Sequence, residues 1–418
     1  MRILHTADWH LGHRLYNRDR TPEHRAALEW LLRTIDEERI DLLVVAGDVF
    51  DVTNPSNQAR ELYYEFLARL IRTSCTSAVI VGGNHDSASQ LDAPRELLRH
   101  LQLHVIGAAT TEASARVIPI RCGEEELLVA AVPYLRERDL RTSTFGESHE
   151  DRLRGLRNGI DLHFQSIARA ACAYRGNKDI PIIATGHLFV AGASDDEEKK
   201  SYIYQADTSN IDAGQFPECF DYVALGHVHR AQHVGDHQHI RYAGSLVPLT
   251  FVEGQAARSV RIVDLGKAGQ PVTSRKINLP GSRTLLRLHG ELPDVLDKLR
   301  AAAAATPPED DLTPWAEVRV RTDKVIPNLR DKLMQAIQDG QQDPRAKPVI
   351  ELLRISRERL TAPPTSVRES VKQLDELEPD QVFRQLCTSR GQDDATVQSF
   401  LADFRELRSW VSEEGRAT

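Results

Sequence analysis

The chain has 418 residues, with 53 Lys or Arg against 61 Asp or Glu and a net charge of -8 at pH 7. This balance excludes a protein that coats nucleic acid through a bulk positive field, because a surface of that net sign repels a polyanion. Hydrophobic residues make up 41% and charged residues 27% of the chain, the composition of a soluble globular protein with a real core, and the length calls for roughly two to three domains.

In chain order, short runs rich in Val, Ile and Leu fall at Arg2–Ala7, Ile40–Ala46, Ala78–Gly82, Leu127–Val132, Ile180–Thr185 and Tyr222–Leu225. Runs of this length with β-branched enrichment predict buried strands. Helical spacing appears between them, at Pro22–Ile40, Gln58–Ile71 and Leu162–Tyr174. Arg261–Leu265 and Val272–Leu279 read as closing strands, and Pro280-Gly281 as a turn. A first domain over 1–279 is therefore expected to be α/β. A second unit, 280–356, alternates strand Leu285–Leu288, helix Leu292–Ala304, strand Trp315–Val320, helix Pro327–Ile337 and strand Pro348–Ile355, with Pro327 in the first helical turn. The linker Thr361–Thr365 leads to two amphipathic helices within 366–412. One carries Val382, Phe383 and Leu386; the other carries Val397, Phe400, Leu401, Phe404, Leu407 and Val411.

The polar residues fall where the apolar runs end. The first run ends in Asp8-Trp9-His10, the second in Gly47-Asp48-Val49-Phe50-Asp51, and the third in Gly83-Asn84-His85-Asp86; later ones end in Gly186-His187 and Gly226-His227-Val228-His229. Ligands of α/β sheets bind beyond the carboxyl ends of the strands, so these groups are expected to converge on one edge. A glycine ahead of the polar residue lets the backbone turn sharply. Imidazole, carboxylate and amide oxygen form a mixed N/O set suited to a divalent transition metal. Seven candidates, Asp8, His10, Asp48, Asn84, His187, His227 and His229, are too many for one ion. Two ions sharing a bridging carboxylate use them all, and such a pair suits in-line phosphoryl displacement. His85 is left over, to stabilise developing charge on the phosphate or to protonate the leaving alkoxide, with Asp86 or Asp51 placed to orient it.

His5 lies inside the first strand and reads as a core residue. His13, His24, His100, His104, His149, His163, His233, His237, His239 and His289 read as surface or loop residues. The run Asp195–Lys200 reads as a solvated loop. Gly244 and Ser245 end one more strand near the site, as contacts to a phosphate or as a plain turn. The five cysteines, Cys75, Cys122, Cys172, Cys219 and Cys387, are odd in number and lack C-x-x-C spacing; buried free thiols in a reducing compartment are expected. No apolar stretch approaches the ~18 residues of a membrane span and no signal-peptide pattern is present, so a cytoplasmic location is expected. No Walker A motif occurs: the Gly266-Lys267-Ala268 stretch lacks the glycine spacing and the Ser/Thr.

One D-x-H is worth little. The ordered set D-x-H, G-D-x-x-D, G-N-H-D, G-H and G-H-x-H is similar in full to the calcineurin-like metallophosphoesterase superfamily. Finer wording resembles the SbcD family, nuclease subunits of bacterial SbcC–SbcD complexes. It lies in His5–Gly12, Ala46–Asp51, Gly83–Ser87, Tyr222–Gln232 and Arg241–Ser245. One departure is Leu246, where the family pattern has proline.

The resemblance implies a layered β-sandwich flanked by helices, with a small α/β capping domain (280–356) and C-terminal helices. It implies a DNA nuclease: a double-strand exonuclease and single-strand or hairpin endonuclease, acting in DNA end processing, recombination and repair near the nucleoid. Asp8, His10, Asp48 and His229 would hold one Mn²⁺. Asp48, Asn84, His187 and His227 would hold the other, with Asp48 bridging, Mg²⁺ a substitute and His85 catalytic. The tail helices would bind the base of an SbcC-type coiled-coil ATPase, the only route by which ATP enters. The helices near Gln58–Ile71 and Asp92–Leu101 would meet their copies in a homodimer.

Overall fold

The computed structural model describes residues 1–110, 112–141, 147–191, 193, 211–307, 312–343, 347–359, 379–389, 396–401 and 403–404. Residues 1–358 form one compact unit and the residues beyond form another.

Two six-stranded sheets dominate the first unit. One runs in the order Thr273–Asn278, Ser259–Asp264, Arg2–Thr6, Leu42–Ala46, Ser77–Val81 and Leu103–Ile106. Its last four strands are parallel, and the two closing strands pair antiparallel. The other runs Gln232–Val234, His237–Tyr242, Tyr222–Gly226, Ile182–His187, Glu125–Ala130 and Val117–Cys122, with a parallel centre and antiparallel edges. The strands Leu103–Ile106, Val117–Cys122 and Gln232–Val234 were not among the expected apolar runs; they are sheet-edge strands, where one-sided cover weakens the apolar signal.

Period-two alternation divides the core into layers. Leu42 and Val44 face the second sheet, packing with Ile3, Val79, Leu127, Val129, Ile183 and Tyr222. Leu43 and Val45 face outward against the helices Thr21–Glu37 and Asn57–Leu70, on Leu31, Ile35, Leu62 and Phe66. Ile182 and Ala184 of the second sheet face the helix His149–Arg175 through Phe164 and Ile167. The result is a layered sandwich with helices on both outer faces, and every central strand is covered on both sides. That is why the strands read as continuous apolar runs. His5 is fully buried between the sheets. Its Nδ1 lies 2.9 Å from Tyr222 Oη and its Nε2 lies 3.2 Å from the Leu225 carbonyl. A carbonyl only accepts, so Nε2 carries the proton and Tyr222 donates to Nδ1.

A three-stranded parallel sheet follows, Leu285–Gly290, Trp315–Arg321 and Glu351–Glu358, crossed by the helices Leu292–Ala305 and Leu329–Gly340. Pro327 does not start the second helix as expected. Asn328 stands before it with φ 54, a left-handed conformation that Asn tolerates, and the helix begins at Leu329. This small sheet is joined to the sandwich through a buried charged node. Arg20 Nε donates to Glu23 Oε1 at 3.0 Å, Arg283 Nε donates to the same oxygen at 2.7 Å, and the Arg283 guanidinium lies 4.1 Å from the Trp315 ring centroid. Leu15, Phe251, Leu285 and Trp315 surround it.

In the C-terminal unit the helix Pro379–Ser389 packs Phe383 and Cys387 against Val397 and Leu401, and the Phe383 and Phe404 rings stack at 4.3 Å. Leu407, Val411 and the acidic run Asp195–Glu198 lie outside the described residues. Among the described residues no helix is long and apolar enough to cross a membrane. Of the cysteines only Cys75 and Cys387 are buried, while Cys122, Cys172 and Cys219 are half-buried, a correction to the expectation for all five.

Candidate metal centre

The loops after the first two central strands are zipped together. Asp8 N donates to Gly47 O and His10 N to Asp48 O, both at 3.0 Å. This leaves Asp8, His10 and Asp48 with φ values of 52, 46 and 50, and His227 follows at 93. Non-glycine residues rarely occupy this region, and four of them together mark a backbone bent to serve its side chains. Gly47 and Gly83 are required by close approach. A Cβ on Gly47 would collide with the His187 ring, and one on Gly83 with the Asp48 carboxylate.

All seven predicted ligands come to one edge. Asp48 Oδ2 lies 3.5 Å from His10 Nε2 and 3.2 Å from His187 Nε2, so one carboxylate oxygen stands between two imidazoles from different sheets. Asp8, His10 and His229 form one group of ligand atoms within 4.8 Å of one another, and Asp8, Asp48 and His187 form another. Asn84 Oδ1 is 3.0 Å from His187 Nε2 and 3.1 Å from His227 Nδ1. Asp8 and Asp48 each spend one oxygen on the fold: Asp8 Oδ1 accepts from His227 N and Asp48 Oδ1 from His85 N, both at 2.9 Å.

These residues fit divalent metal on two observations. Asp8 Oδ2 is buried with no hydrogen-bond partner, a costly state for a carboxylate oxygen unless a cation faces it. His187 Nδ1 donates to the Ala46 carbonyl at 2.9 Å. That leaves the Nε2 lone pair of the neutral ring facing two oxygens, Asp48 Oδ2 and Asn84 Oδ1. Only a proton or a metal ion relieves that repulsion. The electrostatics agree: burial disfavours the His187 cation, but the Asp48 carboxylate, helped by Asp8, raises its pKa to about 9. His10 is likewise raised against burial by Asp51, Asp48 and Asp8, and Asp48 is held well below the carboxylate range against burial by His187 and His10.

Supporting residues complete the centre. Buried Glu253 Oε1 lies 3.1 Å from His229 Nδ1, which directs Nε2 toward the ligand cluster. Glu253 stands in the loop after the last site strand, with no motif around it, and sequence reading passed over it. Asp51 Oδ1 lies 3.2 Å from His10 Nδ1 and 3.0 Å from His13 Nδ1. His85 is exposed and its Nδ1 donates to the Asp51 carbonyl at 2.7 Å, with the His10 ring 4.8 Å away.

Three expectations are corrected. Of the two residues expected to orient His85, Asp51 does so, through its backbone carbonyl, and Asp86 does not. Asp86 accepts instead from Gly83 N, Val49 N and Phe50 N, and burial followed by the Asp48 charge pushes it up to about 6. Ser245 is buried, with its Oγ 3.2 Å from Arg258 Nη1 and 3.4 Å from Glu253 Oε2, so it faces the protein and not a phosphate. His24 is buried rather than at the surface, and burial pushes it down to about 3. His13 lies in a loop as expected, half-buried, and bonds to Asp51 and the Leu249 carbonyl. Leu246, the departure from the family pattern, packs into the helix-facing core.

Residues 1–231 match the family described as calcineurin-like phosphoesterase, and residues 282–390 match the SbcD_C family, described as a type 5 capsule protein repressor C-terminal domain. The SbcD component of the SbcCD nuclease from Escherichia coli K12 is 34% identical over 385 residues, 92% of either chain. This chain belongs to the SbcD family. The SbcD components from Rhodobacter capsulatus, 34% identical over 81% of this chain and 84% of theirs, and Bacillus subtilis, 34% over 69% and 72%, agree. As an SbcD-family phosphoesterase the chain is a metal-dependent phosphodiesterase, and the ligand-rich edge just described lies within the phosphoesterase span.

Proposed function

We propose that this chain is the nuclease subunit of an SbcC–SbcD-type complex, hydrolysing DNA phosphodiester bonds at a two-metal centre. The observation that carries the reading is Asp48 Oδ2 standing between His10 and His187, with Asp8 Oδ2 buried and unpartnered beside it. Asp8, His10, Asp48 and His229 would hold one ion; Asp48, Asn84, His187 and His227 would hold the other. The mixed N/O set fits Mn, Fe or Zn better than Mg; the family resemblance makes Mn²⁺ the ion proposed, with Mg²⁺ a substitute. A bound pair supplies Lewis acidity toward the phosphate and orients its oxygens.

The remaining work falls to the chain. His85 is exposed at the rim and its Nδ1–H is fixed on the Asp51 carbonyl, so Nε2 points to where a substrate reaches the centre. From there a protonated His85 donates its Nε2 proton to the departing sugar oxygen, so the leaving group departs as an alcohol. The zipped loops hold the ligands before substrate arrives, so little reorganisation is needed.

Residues 1–279 act as the nuclease domain and 280–356 as the cap beside it. Residues 366–412 bind the coiled-coil base of the SbcC-type ATPase, through which ATP acts. Activity covers double-strand ends and single-stranded or hairpin DNA, in end processing, recombination and repair in the cytoplasm at the nucleoid. The working form is a homodimer. The relatives' name supports the complex, and the match over 282–390 supports the role of the C-terminal part.

The test mixes the full chain, alone and with its SbcC-type partner, with end-labelled duplex and hairpin DNA in Mn²⁺ or Mg²⁺. Manganese-dependent cleavage supports the reading. Hydrolysis of p-nitrophenyl phosphate esters with DNA left intact, partner included, moves the protein to a small-substrate phosphoesterase.

A further inference from the structure

The strands Leu103–Ile106 and Val117–Cys122 end the two sheets on the same side of the sandwich. A cavity of about 490 Å³ lies against them, roofed by the short helix Arg95–His100. None of the metal-centre residues lines it. Its walls combine apolar surface, from Ile106, Val117 and their neighbours, with three guanidinium groups, from Arg95, Arg99 and Arg116, against one carboxylate, that of Glu96.

Those cations are poorly compensated from within. Half-buried Arg116 donates from Nη2 to the Ala108 carbonyl at 3.1 Å, but its Nε is buried with no hydrogen-bond partner. Among the described residues it has no carboxylate within ion-pair distance. Removing a guanidinium from water is costly unless an anion meets it. Arg95 and Arg99 share Glu96, at 3.5 and 3.4 Å, and Arg95 is 3.9 Å from Asp92. Such exposed pairs are weak and readily exchanged. His104, also on the wall, has a buried Nε2 without a partner. These two atoms are closed to solvent, so the donors a ligand reaches are guanidinium nitrogens of Arg95, Arg99 and Arg116, beside apolar surface.

An arginine fork matches the oxygens of a phosphate, and an apolar wall matches a planar or aliphatic body attached to it. We propose that this cavity is a second ligand site, separate from the metal centre, for a small phosphate monoester of the nucleoside monophosphate class. The concave shape favours a small ligand over a duplex, and the volume lies in the range of small-molecule sites.

The experiment is calorimetric titration of the full chain with dAMP, in EDTA so that no metal-held phosphate contributes. Saturable one-site binding is expected. Arg116→Gln should weaken it about tenfold or more, the size of one charge-assisted hydrogen bond to phosphate. Since Arg116 is half-buried, Arg95→Gln/Arg99→Gln on the more accessible helix serves as a second variant, with circular dichroism and gel filtration confirming that both variants keep the wild-type fold and oligomeric state; it should weaken binding by a similar factor. No binding up to millimolar dAMP, or binding unchanged in both variants, overturns the proposal. Inorganic phosphate binding as tightly as dAMP overturns the nucleoside part, and a single-stranded oligonucleotide binding much more tightly overturns the small-ligand assignment.

Discussion

Glu253 Oε1 lies 3.1 Å from His229 Nδ1 in a buried pair that no sequence motif announces. The carboxylate fixes which imidazole nitrogen carries the proton and so which one is offered to metal. Residues that orient a metal-ligating histidine typically contribute 10–100-fold to metal affinity. Glu253→Gln is therefore expected to weaken Mn²⁺ binding by roughly that factor, measured by competition with a fluorescent chelator. Unchanged affinity would place Glu253 in the fold alone.

Asp48 Oδ2 stands between His10 and His187, the position proposed above for the bridging ligand. Asp48→Asn keeps its shape and removes its charge. The wild-type chain should gain about 2.7 kcal/mol of stability at Mn²⁺ concentrations 100 times its Kd, because the ion binds only the folded state. The variant is expected to lose most of that increment and to retain less manganese after gel filtration, read by elemental analysis. A variant that still binds two ions with wild-type affinity would remove Asp48 from the bridging position.

His85 lies at the exposed rim of the ligand cluster, its backbone N on Asp48 Oδ1 and its ring 4.8 Å from that of His10. His85→Ala is expected to lower kcat on DNA by about 10²–10⁴-fold while the manganese content stays at the wild-type level. Loss of metal together with activity would make His85 a ligand instead of an acid.

Glu23 sits between two buried guanidinium groups, Arg20 and Arg283, and ties the small sheet to the sandwich. Glu23→Ala leaves both cations without their shared anion, a change that typically costs about 3–5 kcal/mol. Urea unfolding should show that loss. A change below 1 kcal/mol, roughly the value of an exposed pair, would mean that solvent reaches the node.

His5 is buried as the neutral ring, and burial, followed by the charge of Arg261, pushes its pKa down to about 3. The sign follows from the unfolded value of about 6.5. Above that pH both states are neutral and the stability is fully present. As pH falls from about 6.5 toward 3 the unfolded chain takes up a proton that the fold refuses, and stability falls by about 1.4 kcal/mol per pH unit. His5→Asn should remove that slope from the urea midpoint measured in EDTA between pH 6 and 4. An unchanged slope would show that His5 titrates normally in the fold.

The sequence by itself determined the alternation of strands and helices and the glycine-led ends of the central strands. Both are local signals: a strand covered on both faces needs an unbroken apolar run, and a turn that leaves it needs glycine. With the strand order of an α/β sheet these signals placed Asp8, His10, Asp48, Asn84, His85, His187, His227 and His229 on one edge. The partners that hold those groups were decided only by tertiary structure. Glu253 meets His229 across a loop, the Asp51 carbonyl and not a carboxylate orients His85, and Ser245 turns inward to Arg258 and Glu253. None of these contacts repeats at a fixed spacing, because each forms between segments brought together by sheet packing. The same holds for His24, whose place in the helix Thr21–Glu37 looked solvated until that helix closed over the sheet. Backbone geometry at Asp8, His10 and Asp48 was equally hidden: their left-handed φ values arise from the hydrogen bonds that zip two neighbouring loops, a cost met only once both strands lie side by side.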